Sequence, residues 1–149
     1  MLKDNRTFTS PLGDTFSYNF SMACNPAGQP FSFVYQNNNA GPSGGTFTMT
    51  HIASVSCTNS KVSTATPGNY DHAAITGFGT WSKDAANSLP RFMAASISVD
   101  PANPFGMIMV FQRYPGEAQT LSGALILPGD EIDVNLSTAE NKPAAKPIP

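Results

Sequence analysis

The sequence predicts an all-β protein: a two-sheet antiparallel β-sandwich of about eight strands, stapled by one disulfide and carrying extended terminal arms. Three observations predict it. Phe16, Tyr18, Phe20, Met22 and Cys24 fall on one face of an extended run, and Phe47, Met49, His51, Ala53, Val55 and Cys57 on one face of another. Successive strand side chains point to opposite faces, so each run turns its apolar side, cysteine included, toward a core. Strand-like runs then recur between turn signals along the whole chain, and no stretch shows a helical period.

The runs are residues 14–23, 31–36, 45–56, 72–81, 91–100, 107–114, 120–127 and 131–136. Asn25-Pro26-Ala27-Gly28 separates the first two, and Asn37-Asn38-Asn39-Ala40-Gly41-Pro42 the next pair. Thr66-Pro67-Gly68-Asn69, Asp100-Pro101, Pro115-Gly116 and Pro128-Gly129-Asp130 punctuate the remainder. Gly, Pro, Asn and Asp break ladders by supplying special backbone angles, a missing donor or local side-chain hydrogen bonds.

Cys24 and Cys57 are the only cysteines, each near the C-terminal end of its run. In a flat meander an intervening strand would hold them two strand spacings apart, about 9–10 Å. A disulfide spans at most about 7 Å between Cα atoms. The expectation is therefore that the first and third runs are direct neighbours or face each other across two sheets. The bond closes a loop whose chain entropy is worth about 3–4 kcal/mol.

The 149 residues fit one domain with a sizeable core. The expected organisation is an N-terminal arm at 1–13, a sandwich at 14–136 and a Pro-rich C-terminal tail at 137–149. Charged residues make up 12%, about half the usual share. Lys and Arg are scattered and the net charge is −2, which argues against nucleic acid, whose binding needs a basic patch. No apolar run approaches the about 20 residues of a membrane helix. The polar start Met1-Leu2-Lys3-Asp4-Asn5-Arg6 is not a leader. A disulfide belongs outside the cytoplasm, so the expectation is an extracellular or cell-surface protein whose leader is removed or absent, the latter as in a virion.

Ala73-Ala74-Ile75-Thr76-Gly77-Phe78-Gly79-Thr80 fits an A-x-I-x-G-x-G-T strand, and residues 122–132 fit a closing GGxLxxGxIxI-like hairpin. With the aromatic-alternating first strand, the chain resembles β-sandwich modules of bacterial secreted and cell-surface proteins. The resemblance spans roughly residues 14–136 and rests on strand and turn patterns. It implies an extracellular sandwich and brings no catalytic residues. The long Asn37–Gly45 loop, the missing leader and the tail depart from it.

Chemistry-bearing patterns are few. Gly41-Pro42-Ser43-Gly44-Gly45 matches G-x-S-x-G, but that motif needs a turn from strand into helix, and an alternating strand follows here. Asp71 and His72 are adjacent, poorly placed as separate triad members. His51, His72 and Asp71 lack the close-spaced pairs of a zinc site. Asp100, Asp130, Glu131 and Asp133 near turns show no calcium-loop spacing. Three N-x-S/T matches, at Asn5, Asn19 and Asn135, are near chance in so Asn-, Ser- and Thr-rich a chain. Trp81, Tyr70 and Tyr114, with Phe105, lie near strand ends and are candidate platforms for stacking on sugar rings.

The functional expectation is a non-enzymatic structural or assembly subunit of a filament or coat, without cofactor or metal. Its terminal arms would join copies into an oligomer or polymer, in part by strand addition to a sheet edge. The alternatives are a monomeric glycan- or ligand-binding module and a virion decoration protein.

Overall fold

The computed structural model describes residues 2–9, 13–41, 44–62, 69–98, 100, 102, 105–114, 122–127, 130–134, 136–137 and 140–141. The described residues are all-β, with no helix. The strands are β1 (Leu2–Thr9), β2 (Thr15–Met22), β3 (Ser32–Asn37), β4 (Gly45–Thr58), β5 (His72–Trp81), β6 (Arg91–Ser98), β7 (Phe105–Val110), β8 (Ser122–Leu127) and β9 (Asp130–Val134). They pair antiparallel in sequence order as one continuous sheet rather than two. β10 (Leu136–Ser137) and β11 (Glu140–Asn141) make a separate two-stranded sheet at the junction of the expected sandwich and tail. Residues 142–149 lie outside the described residues.

The sheet curls. β2 and β7 are five steps apart in the strand order, about 24 Å if the sheet were flat. Yet a Cβ placed on Gly106 of β7 would lie 2.7 Å from the Tyr18 ring of β2. Arg6 of β1 likewise donates to the carbonyl of Ser98 at the end of β6. A half-barrel results, with β1 and β2 facing β6 and β7 across the core.

The inner face follows the predicted alternation. Phe16, Tyr18, Phe20 and Met22 of β2 are buried with Phe33 and Tyr35 of β3. Phe47, Met49, Ala73, Ile75, Trp81, Met93, Ala95, Ile97, Ile108 and Val110 complete the layer from β4 to β7. Phe20 and Phe33, directly paired, stack with ring centroids 5.5 Å apart.

Cys24 and Cys57 form the expected disulfide, with Cα atoms 5.7 Å apart. The strand order that permits it is nonetheless a meander. β3 is only six residues long and pairs with β4 solely over Gly45–Thr48. Beyond that level no strand separates the end of β2 from the far half of β4. The flat-sheet exclusion assumed a full-length middle strand, and β3 is too short to be one.

β4 corrects a second expectation. Its register against β5 slips between Met49 and His51 and again between Ile52 and Ser54. Each bulge inserts one residue and flips the alternation. His51 and Ala53 therefore turn outward and are exposed, while Ile52 and Val55 turn inward. Two flips cancel, so Cys57 still reaches the core side. The bulges also bend the strand.

Residues 2–9 are a strand of the sheet rather than an arm. β1 pairs with β2 along its full length, from Leu2 opposite Met22 to Thr9 opposite Thr15. Its alternation is hidden because Asp4 and Arg6 occupy half-buried positions on its inner side. They satisfy each other through a 2.8 Å ion pair, and Asp4 also accepts a 2.7 Å bond from the Tyr18 hydroxyl.

Candidate functional site

The strand-end aromatics expected as stacking candidates lie apart. Trp81 is buried at 4% exposure, because it shares the inward parity of Ala73 and Ile75 on β5. Tyr70 packs against the core, at the opposite end of β5 from Trp81. Ten residues of strand separate those ends, about 30 Å. Tyr114 is exposed just past β7. Phe105 lies against the His72 ring at 5.7 Å. Of the group, Trp81 is core and cannot stack on an external ligand.

His51 and His72 are likewise apart. His51 sits opposite Phe78 and His72 opposite Thr58, six residues away along β5, about 20 Å. The His72 ring contacts the Ser96 hydroxyl at 3.0 Å. Asp71 accepts from the Ser60 hydroxyl at 2.6 Å and the Ser60 N–H at 2.9 Å. These bonds, the hydroxyl first, hold its carboxyl below the usual range. Asp71 is thus a hairpin brace. Asp100 accepts from the Ala102 N–H and faces Lys61 at 3.5 Å. Asp130, Glu131 and Asp133 lie on β9, and their side chains are outside the description. No group of three His, Cys, Asp or Glu able to hold a metal occurs among the described residues. Gly41 and Gly44 are joined by a turn hydrogen bond of 3.1 Å, followed by β4 and not by a helix. Ser43 lies outside the described residues.

A different surface draws side chains together. On the outer face, His51 of β4 pairs with Phe78 of β5, which pairs with Phe92 of β6. The Phe111 N–H, just past β7, donates to the Phe92 carbonyl at 2.9 Å. Phe78 and Phe92 meet edge-on with centroids 5.4 Å apart, and Phe92 and Phe111 tilted at 5.7 Å. Phe78, Phe92 and Phe111 thus form a run of contacting rings across the strands, with His51 beside Phe78 in the register at one end. Phe78 is 41% and Phe92 37% exposed, high values for such large apolar groups.

Small and hydroxylated residues flank the row. Thr76 lies between Ser54 and Ala94, and Ala74 between Ser56 and Ser96. Met109 and Met107 extend these two levels onto β7. The Ser54 and Thr76 hydroxyls bond at 2.6 Å, and Thr50 Oγ1 donates to the Phe78 carbonyl at 3.3 Å. The charge pattern is the clearest property. β4–β7 hold one charged residue, Arg91, and it points inward at 1% exposure. There it makes two 2.8 Å bonds to Asp84. The outer face of these four strands carries no formal charge.

A shallow cleft of about 440 Å³ opens beside the row. Asn25, Pro26, Ala27, Gly28, Gln29 and Phe31 form one wall, with Thr50, His51 and Ile52 the other. It occupies the gap left where β3 stops short, and it shares His51 with the row. Sequence reasoning missed this surface by following the core parity. Phe78 and Phe92 are out of phase with the buried set, and the charge-free stretches 45–58 and 72–81 are readable in the sequence but point to one face only once the register pairs them.

No family model, curated protein or solved structure matches the chain.

Proposed function

We propose that this protein is a non-enzymatic binding module, working outside the cytoplasm, whose contact surface is the outer face of β4–β7. The observation that carries the reading is the row His51–Phe78–Phe92–Phe111 on a face without formal charge. Exposed apolar groups concentrated in one place mark interaction sites, whereas scattered ones do not. The Cys24–Cys57 bond supports an oxidising compartment. We read the two halves of the curl, β1–β3 and β5–β7, as the layers of a sandwich turned at β4.

Assembly by strand addition has less support. The β1 edge carries Lys3, Asp4 and Arg6, and inward-pointing charges are a recognised way to blunt an edge. The free edge of β4 beyond Thr48 carries two bulges and ends at the disulfide, which disfavour a regular new ladder. Residues 2–9 are held against β2 along their full length and are not a free bridging arm.

The test is a binding array of immobilised glycans, peptides and lipid vesicles, probed with the wild type and a Phe78→Ser/Phe92→Ser double variant. Both side chains are on the outer face, so the variant should keep a cooperative melt, lowered only by the lost cross-strand ring pair, about 0.2–1 kcal/mol. Loss of a captured ligand with folding intact supports the surface. Capture that is equal for both proteins rejects it.

A further inference from the structure

Resting on that reading, we propose that the ligand of the outer face is an uncharged glycan chain lying across the strands, along the row from Phe111 to His51 and on toward the cleft. Three features favour this occupant. The first is charge. A face with no formal charge across four strands offers nothing to a polyanion, and burying a ligand charge against it would go uncompensated.

The second is area. Four strands at about 4.8 Å spacing and six residues of strand length give roughly 19 Å by 20 Å, about 400 Å². A stable protein–protein interface needs about 800 Å² from each partner. The patch is too small for a second copy of the chain and suits a thread-like ligand.

The third is chemistry. Sugars present apolar C–H faces and hydroxyl rims. Rings 5.4 and 5.7 Å apart repeat at about the pitch of one unit in an extended glycan. Thr50, Ser54, Thr76 and Ser96 border the rings with neutral hydroxyls. Past β4, Asn25 and Gln29 in the cleft wall add amides that both donate and accept. The rings are tilted by 63° and 40° rather than coplanar, which fits a single twisted chain better than a flat crystalline surface.

Calorimetry tests this with soluble cello-, chito-, laminari-, malto- and manno-oligosaccharides, and heparin as a charged comparator. The full chain is compared with Phe92→Ala, Phe78→Ala and, away from the face, Val62→Ser, each checked by its melting curve. The expected result is binding to a neutral member that falls about tenfold or more in both Phe variants, but not in Val62→Ser. Binding confined to heparin, or to no glycan, overturns the ligand class. In that case the array variant still reports separately on the face. Neutral-glycan binding that survives both Phe substitutions overturns the face and the orientation together.

Discussion

Tyr18 sits where the two halves of the curl meet. Its ring fills the space that Gly106 leaves open on β7, and its hydroxyl donates to Asp4 at 2.7 Å. Burial first, then the bond to Asp4 and its negative charge, push the phenol above its ordinary value, with Arg6 countering in part. The folded state thus keeps Tyr18 neutral where the unfolded chain would ionise it. The resulting stability is complete below the unfolded value of about 10 and is lost as pH rises beyond it. Tyr18→Phe should cost about 1.5–3 kcal/mol at neutral pH, as for a hydrogen bond to a charged group. It should also flatten the alkaline limb of a stability-against-pH curve measured by urea titration. An unchanged alkaline limb would show that Tyr18 is not the group responsible. The inward face of Tyr18 was legible from its alternation with Phe16 and Phe20, but its partner was not, because charged residues at alternate positions in Leu2–Thr9 disguise an inward-facing strand.

At the scale of elements, β4 and β5 decide both the shape and the surface. Gly77 and Gly79 of the G-x-G motif lie under the bulged strand, and a Cβ on either would collide with the backbone carbonyl of His51 or Thr48 and with Met49. Those glycines let β5 approach the bulged strand closely. Gly77→Ala should therefore cost about 1–3 kcal/mol through overpacking, read by thermal unfolding, and a neutral result would mean the bulge tolerates displacement. Reducing Cys24–Cys57 should cost about 3–4 kcal/mol by chain entropy, seen as a lower urea midpoint of the reduced protein. Most of the strands were legible from alternation and turn residues, and each of the eight expected runs overlaps one, while β1 was expected as part of an arm. The bulges were not legible. Because the two flips cancel, the run from Phe47 to Cys57 begins and ends in the phase of a regular strand, and only His51 and Ala53 betray the difference.

For the molecule as a whole, the curl gives one buried face and one presented face, with their chemistry divided between them. Deleting residues 1–13 should remove β1, and with it the Asp4–Tyr18 bond to the neighbouring strand and the Arg6–Ser98 bond that reaches across the curl. The expected outcome is a marked fall in melting temperature with no change in oligomeric state. A stable truncated domain that has lost an assembly would instead restore the bridging-arm account. The candidate site belongs to this scale, since its rings come from four strands and up to 60 residues of chain between His51 and Phe111. Trp81 was legible both at a strand end and, by the parity it shares with Ala73 and Ile75, on the inner side of the sheet. Phe78 and Phe92 gained meaning only when the register set them opposite each other.

The most direct test of the outer face is an aromatic-ring NMR titration of the intact protein with the tightest ligand from the array. The account expects the Phe78, Phe92 and Phe111 ring signals to shift together, along with His51, while buried Trp81 and Tyr18 stay fixed. Shifts confined to Tyr70 or Tyr114, with the row silent, would contradict it.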